Sequence, residues 1–123
     1  MTALWVGAAA VLGALVRFAL DSWFARRQRP GKAAFPLSTL LVNAAGSFLI
    51  GWCFALLTRG AIGPGEYPVA AAGLAGGLTT FSSWTVGTLT LWLDGRRMAA
   101  AVNVTANLVL GVAAAGAGRL LAA

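Results

Sequence analysis

Polar residues at helical spacing stand inside apolar runs of this chain, and they are its main chemical material. Thr39, Asn43 and Ser47 fall at i, i+4 and i+8, forming one stripe flanked by Gly46 and Gly51. Asn103 and Asn107 repeat the i, i+4 spacing, and Gly111 extends their line. A third run, Gly76-Gly77-Leu78-Thr79-Thr80, is followed by Phe81, Ser82, Ser83, Trp84 and Thr85. Arg17 lies deep in an apolar stretch near the start. Amides, hydroxyls and one guanidinium are hydrogen-bond donors that suit an anion. The same groups can also bond helix to helix, at about 1 kcal/mol each. Spacing alone leaves both readings open for the Asn pairs. It leaves two readings for Arg17 as well: a side chain reaching out to the membrane interface, or fixed positive charge at a pore mouth.

Catalysis has little to draw on. There is no histidine, and the three acids, Asp21, Glu66 and Asp94, are far apart in sequence. That spacing offers neither a metal cluster nor an acid–base pair. Cys53 is the single cysteine, so no internal disulfide forms. The sequence therefore argues against an enzyme.

The elements that position these residues follow from composition. Hydrophobic residues make up 59% of the 123 residues and charged residues 10%, too few for a water-facing surface. A membrane-spanning helix needs about 20 mostly apolar residues. Four stretches qualify, at about 3–24, 37–57, 69–93 and 98–121. The expected architecture is a single all-α transmembrane domain, a four-helix bundle. Proline and glycine punctuate the connections at Pro30, Gly31, Pro36, Gly63, Pro64, Gly65 and Pro68. The first stretch lacks a basic leader and carries Arg17 late, so it reads as a mature helix rather than a signal peptide. Trp23, Phe24, Phe35, Tyr67 and Trp92 fall near the ends of the stretches, as an interfacial aromatic belt requires.

The third stretch departs from an ordinary span. Adjacent glycines followed by two β-branched residues make a poor helix centre, so a break is expected at Gly76–Thr80. Backbone freed at that depth needs protein, ion or water as partner. Broken helices of this kind build ion sites in membrane proteins. Phe81 and Trp84, at i and i+3, share a face, and aromatic edges carry partial positive charge. Aromatics at this spacing are more often simple packing.

The net charge of +6 comes from residues beside or between the apolar runs. They read as topology signals and lipid head-group contacts, not as a nucleic-acid footprint. Arg26, Arg27, Arg29, Lys32, Arg96 and Arg97 lie in the first and third connections, against Arg59 and Arg119 on the other side. Taken alone, this bias places the first and third connections in the cytoplasm.

These residues together resemble the Fluc family of bacterial fluoride channels, also called CrcB. The resemblance rests on Gly13-Ala-Leu-Val-Arg17-Phe18, on Ser38-Thr-Leu-Leu-Val-Asn43-Ala-Ala-Gly46-Ser-Phe-Leu-Ile-Gly51, and above all on Gly76-Gly-Leu-Thr79-Thr-Phe81-Ser-Ser-Trp84. It covers essentially the whole chain. It implies an antiparallel dimer, multi-pass in the bacterial inner membrane, with two narrow pores that let cytoplasmic fluoride leave passively. It implies a structural Na⁺ at the dimer centre, held by the backbone carbonyls of Gly76 and Thr79. Asn43, Phe81 and Trp84 would line the pore with Thr39, Ser82 and Ser83. Asn103 and Asn107 would add polar positions from the fourth helix, and Arg17 would stand in the vestibule. Trp84 replaces a second Phe of the family pattern, a bulkier ring with an added N–H donor. Asn stands in the fourth helix where small hydroxyl residues are common.

Such donors suit fluoride, which is compact and strongly hydrated. A pore must replace its water with neutral donors in a tight bore without trapping it. Two rival readings differ in class. A four-span, proton-coupled exporter of cationic compounds needs a titratable carboxylate within the membrane, and all three acids sit near span ends or in connections. A non-transporting assembly subunit explains the glycine and alanine content but not the polar third stretch. The charge bias adds a further expectation. An antiparallel homodimer requires insertion in both orientations, whereas six basic residues against two favours one. The partner is then either a second copy, in a homodimer, or, as the bias favours, an oppositely oriented paralogue.

Overall fold

The computed structural model describes residues 1–28, 31 and 34–123. Arg29, Pro30 and Lys32 of the first connection lie outside the described residues. The described residues form helices and connections without strands. The elements are α1 (Thr2–Arg27), α2 (Leu37–Thr58), α3 (Glu66–Pro68), a π-helical stretch (Val69–Ala75), α4 (Gly76–Leu78), α5 (Phe81–Leu93) and α6 (Arg97–Leu121).

Among the described residues three helices, α1, α2 and α6, are long and apolar enough to cross a membrane. Their 26, 22 and 25 residues each exceed the roughly 20 needed for a hydrocarbon core of about 30 Å. Each extends one to three residues beyond an expected boundary. Arginines in the last turns of α1 and α6 favour the negative end of the helix dipole. The outer surface is apolar: Phe18, Leu93 and Leu120 are each at least 70% exposed. Lipid is the solvent in which such a surface is stable.

Small residues let the backbones meet. Gly51 of α2 lies against the Ala115 carbonyl of α6, and Gly118 of α6 lies against the Phe48 carbonyl of α2. A side chain at either position would collide with backbone. On the other side, α1 packs on the Val69–Leu78 region. There Gly13 meets the Leu74 carbonyl and Gly77 meets the Ala10 carbonyl. α5 packs on α6. The core is correspondingly thin, with Val42, Ala75, Leu91, Ala100 and Asn103 almost wholly buried.

The third stretch is the irregular one. Its helical chain runs from Glu66 through the π-helical stretch to Leu78. Thr79 (ψ 158°) and Thr80 (φ −147°, ψ 119°) are extended, and helix resumes at Phe81. The interruption is therefore narrower than the Gly76–Thr80 run expected from sequence, because Gly76 and Gly77 remain helical. Gly77 serves close approach to α1, and it is the β-branched pair Thr79–Thr80, which favours extended backbone, that leaves the helix. π-helical turns of this kind recur at functional sites.

Candidate functional site

The extended pair redirects the local hydrogen bonds. In a continuous helix the Thr80 N–H would bond the Gly76 carbonyl and the Ser83 N–H would bond the Thr79 carbonyl. Instead Thr80 N–H donates to Asn43 Oδ1 at 2.8 Å. Ser83 N–H donates to Thr80 Oγ1 at 3.1 Å, so Thr80 caps the start of α5. The carbonyls of Gly76 and Thr79 are thereby deprived of their helical donors.

Side chains partly replace those donors. Arg17 Nη1 donates to the Thr79 carbonyl at 3.2 Å. Of the two sequence readings for Arg17, reaching outward is excluded, since its guanidinium turns inward to the interruption. Thr79 Oγ1 bonds the Ala75 carbonyl at 3.0 Å and touches the Gly76 carbonyl at 3.4 Å. The two freed carbonyls belong to the residues that the resemblance assigns to Na⁺. Neutral carbonyl oxygens suit a hard cation. One chain supplies only two, and the Arg17 guanidinium already occupies one.

Asn43, on α2, is the hinge of the arrangement. Its Oδ1 accepts from Thr80 N–H, while its Nδ2 donates to the Thr80 carbonyl at 3.2 Å and to Asn107 Oδ1 at 3.0 Å. Both amide hydrogens are engaged. Beside it lies an open cleft of about 290 Å³ lined by Asn43, Ser47, Ile50, Thr79, Thr80, Phe81 and Trp84. The Phe81 and Trp84 rings meet edge to face, with centroids 5.4 Å apart and planes at 77°. Phe81 is largely exposed. Thr80 Oγ1 also bonds Ser82 Oγ at 3.2 Å and Ser83 Oγ at 3.1 Å, gathering three hydroxyls at the head of α5.

The fold thus brings Asn43, Thr79, Phe81 and Trp84 to one cleft, with Ser82 and Ser83 at its cap, Gly76 just before it and Arg17 on its Thr79 side. Asn103 and Asn107 are buried behind it and do not line it. Thr39 is buried one turn before Asn43 and has no bond to this network. The indole N–H of Trp84, expected as an extra donor, is taken by the Asn103 carbonyl at 3.3 Å. One participant escaped the sequence reading. Thr88 accepts from Asn103 Nδ2 at 2.8 Å and donates to the Trp84 carbonyl at 2.8 Å. Its i+4 spacing from Trp84 was the available signal.

No carboxylate lines the cleft. Asp21 accepts from Ser38 Oγ at 2.6 Å, Glu66 accepts from the Gly63 N–H at 2.7 Å, and Asp94 ends α5 in an exposed turn. The cleft presents the Ser47 hydroxyl and the Phe81 and Trp84 rings, while the Asn43 amide hydrogens, the Trp84 indole N–H and the Arg17 guanidinium are engaged with the protein.

Known proteins resemble this chain over most of its length. A family model described as CrcB-like protein, Camphor Resistance (CrcB), matches residues 4–119. This chain belongs to the CrcB family. Among CrcB relatives, the fluoride-specific ion channel FluC of Renibacterium salmoninarum is 49% identical, covering 100% of both chains. FluC of Thermus thermophilus is 40% identical over 89% of this chain and 84% of its own. A protein named fluoride-specific ion channel FluC 2, of Mycolicibacterium paratuberculosis, is 38% identical over 98% and 94%. With three helices able to span a bilayer, this CrcB chain is a multi-pass membrane protein.

Proposed function

We propose that this chain is half of a passive fluoride channel that lets cytoplasmic fluoride leave a bacterial cell and so lowers its toxicity. The observation that carries the reading is full-length similarity, at 49% identity, to a protein named a fluoride-specific ion channel. The cleft adds chemical support, through hydroxyl and aromatic-edge groups with no facing carboxylate. Such groups replace part of the hydration shell of a small anion without the deep well that a cluster of cations would make. No reaction step is involved. An exporter of cations driven by protons would need a buried carboxylate, and the three acids of this chain have their places elsewhere.

In this reading the Glu66–Leu93 region forms the remaining crossing as two half-helices that meet at Thr79–Thr80. Two chains pair in antiparallel fashion through the cleft-bearing faces, so that each pore draws on both. The carbonyls of Gly76 and Thr79 from the two chains would hold a structural Na⁺ at the centre, the Thr79 oxygen using the lone pair that Arg17 leaves open. The six-to-two distribution of basic residues favours one fixed orientation. An oppositely oriented paralogue is then the natural partner, and the number in the name FluC 2 is consistent with organisms that carry more than one such protein.

Efflux from liposomes holding the purified protein tests the function. Fluoride leaves and chloride is retained if the reading is right. Equal chloride loss, or no fluoride loss either alone or with a co-expressed paralogue, refutes it. For the pairing, cysteine accessibility of the Arg26 side decides: labelling from one face supports a fixed orientation, and equal labelling from both excludes it.

A further inference from the structure

Two charged residues stand inside the apolar helices, away from their ends, and both are on α1. Residues 2–25 include Arg17 and Asp21, whereas α2 (Leu37–Thr58), residues 67–93 and residues 98–118 include no charged residue. Four residues apart on a helix, the two share a face and lie about 6 Å apart along its axis. The same face carries Ala10 and Gly13, which lie against Gly77 and the Leu74 carbonyl. It therefore turns toward the bundle rather than toward lipid. Both charged residues are half-buried.

Each charge reaches a different neighbour. Arg17 Nη1 donates to the Thr79 carbonyl, and Thr79 lines the cleft. Asp21 Oδ1 accepts from Ser38 Oγ, in the first turn of α2, at 2.6 Å. That length is typical of a hydroxyl bonded to an ionised carboxylate. The carboxylate is thus held one turn from the guanidinium, toward the first connection. A guanidinium has five N–H donors, and the Thr79 carbonyl takes one from Arg17. A cation with further donors beside a neutral cleft would hold an anion tightly, yet a channel needs its ion to leave as readily as it enters. A carboxylate about 6 Å away, in surroundings drier than water, cancels much of that pull.

We infer that Asp21 is the counter-charge to Arg17 and sets how tightly an anion is held at the cleft. It is a positioning residue: it acts through Arg17 and touches no permeating ion. This rests on the channel reading, which makes the cleft an ion path. The carboxylate thereby has a task other than the exchange of protons.

The test separates the charge of Asp21 from its bond to Ser38. Initial fluoride efflux from liposomes is measured against internal fluoride concentration for the natural protein, Asp21→Asn, Ser38→Ala, Arg17→Gln and the double variant Arg17→Gln/Asp21→Asn. Asp21→Asn keeps an oxygen for Ser38 and removes the charge. Its half-saturating fluoride concentration is expected to fall about tenfold, with a lower maximal rate. Lost packing alone would slow efflux without tightening binding. Ser38→Ala, which keeps the charge and loses the bond, retains the natural half-saturation. With Arg17→Gln already present, Asp21→Asn moves half-saturation no further. An unchanged or raised value in Asp21→Asn, the same fall in Ser38→Ala, or a full fall without Arg17 would each overturn the inference. A second readout needs no flux. Replacing sodium gluconate by sodium fluoride raises the melting temperature of Asp21→Asn in detergent by more than that of the natural protein. Equal shifts also overturn the inference. Should Asp21→Asn fail to fold, Asp21→Ser replaces it in both measurements. Absence of flux in the natural protein would count against the channel alone, since the melting shift still decides for or against the counter-charge.

Discussion

Along the α2–α6 contact, the carbonyls of Ala115 and Phe48 press against Gly51 and Gly118 while staying inside intact helices. At Thr79 and Thr80 the backbone leaves the helix and takes partners from Asn43, Arg17 and the Thr80 hydroxyl. The first region gains from the absence of side chains, because in lipid close backbone contact supplies the dispersion energy that binds helices. The second depends on the presence of particular side chains, because in lipid an unpaired peptide group costs several kcal/mol. The contrast separates the part of the molecule that holds it together from the part available for chemistry.

Substitutions at each region sharpen this contrast. Gly118→Leu is expected to do the most damage, because its Cβ meets the Phe48 backbone, which cannot yield without parting α2 from α6. A loss of about 3 kcal/mol or more is expected, seen as aggregation on size-exclusion chromatography in detergent. If that variant stays monodisperse, the α2–α6 contact is not the structural core.

Asn43→Asp should leave the fold standing but suppress fluoride efflux about a hundredfold. A carboxylate still accepts from Thr80 N–H, but it has no hydrogen for the Thr80 carbonyl or Asn107 Oδ1, and it repels an anion. Undiminished efflux would remove Asn43 from the path.

Arg17→Gln withdraws a charged donor from the Thr79 carbonyl, with an expected loss of about 2 kcal/mol in thermal unfolding of the protein in detergent. Thr80→Val keeps the β-branch that favours the extended backbone but removes the cap on Ser83 N–H, for about 1 kcal/mol. Should Thr80→Val prove the more harmful of the two, the cap rather than the guanidinium would be the main support of the interruption.

Much of the fold could be read from the chain. The bounds of α1, α2 and α6 followed within three residues, since each is a long apolar run closed by charge, glycine or proline. At Thr79–Thr80 the backbone is extended, while Gly76 and Gly77, expected to leave the helix, stay in it. The glycines there are spent on α1, whose Ala10 carbonyl lies against Gly77, and no local pattern announces a contact made so far along the chain. Among site residues, Asn43, Phe81 and Trp84 share the cleft. Thr39, on the same stripe, is buried apart from their network, because the next turn of α2 faces different neighbours.

The sequence by itself determined the medium, the long helices and the class of chemistry. Composition sets the solvent a surface can bear, and the sparse, separated acids forbid most catalysis. Tertiary structure alone decided which donor meets which acceptor. An amide can turn either way, and a guanidinium can reach outward or inward. Only the neighbours fix the choice, through the Thr80 peptide for Asn43, the Thr79 carbonyl for Arg17 and the Asn103 carbonyl for the indole of Trp84. Those neighbours come from other helices, and their identity is a property of the packed bundle rather than of any local run of residues.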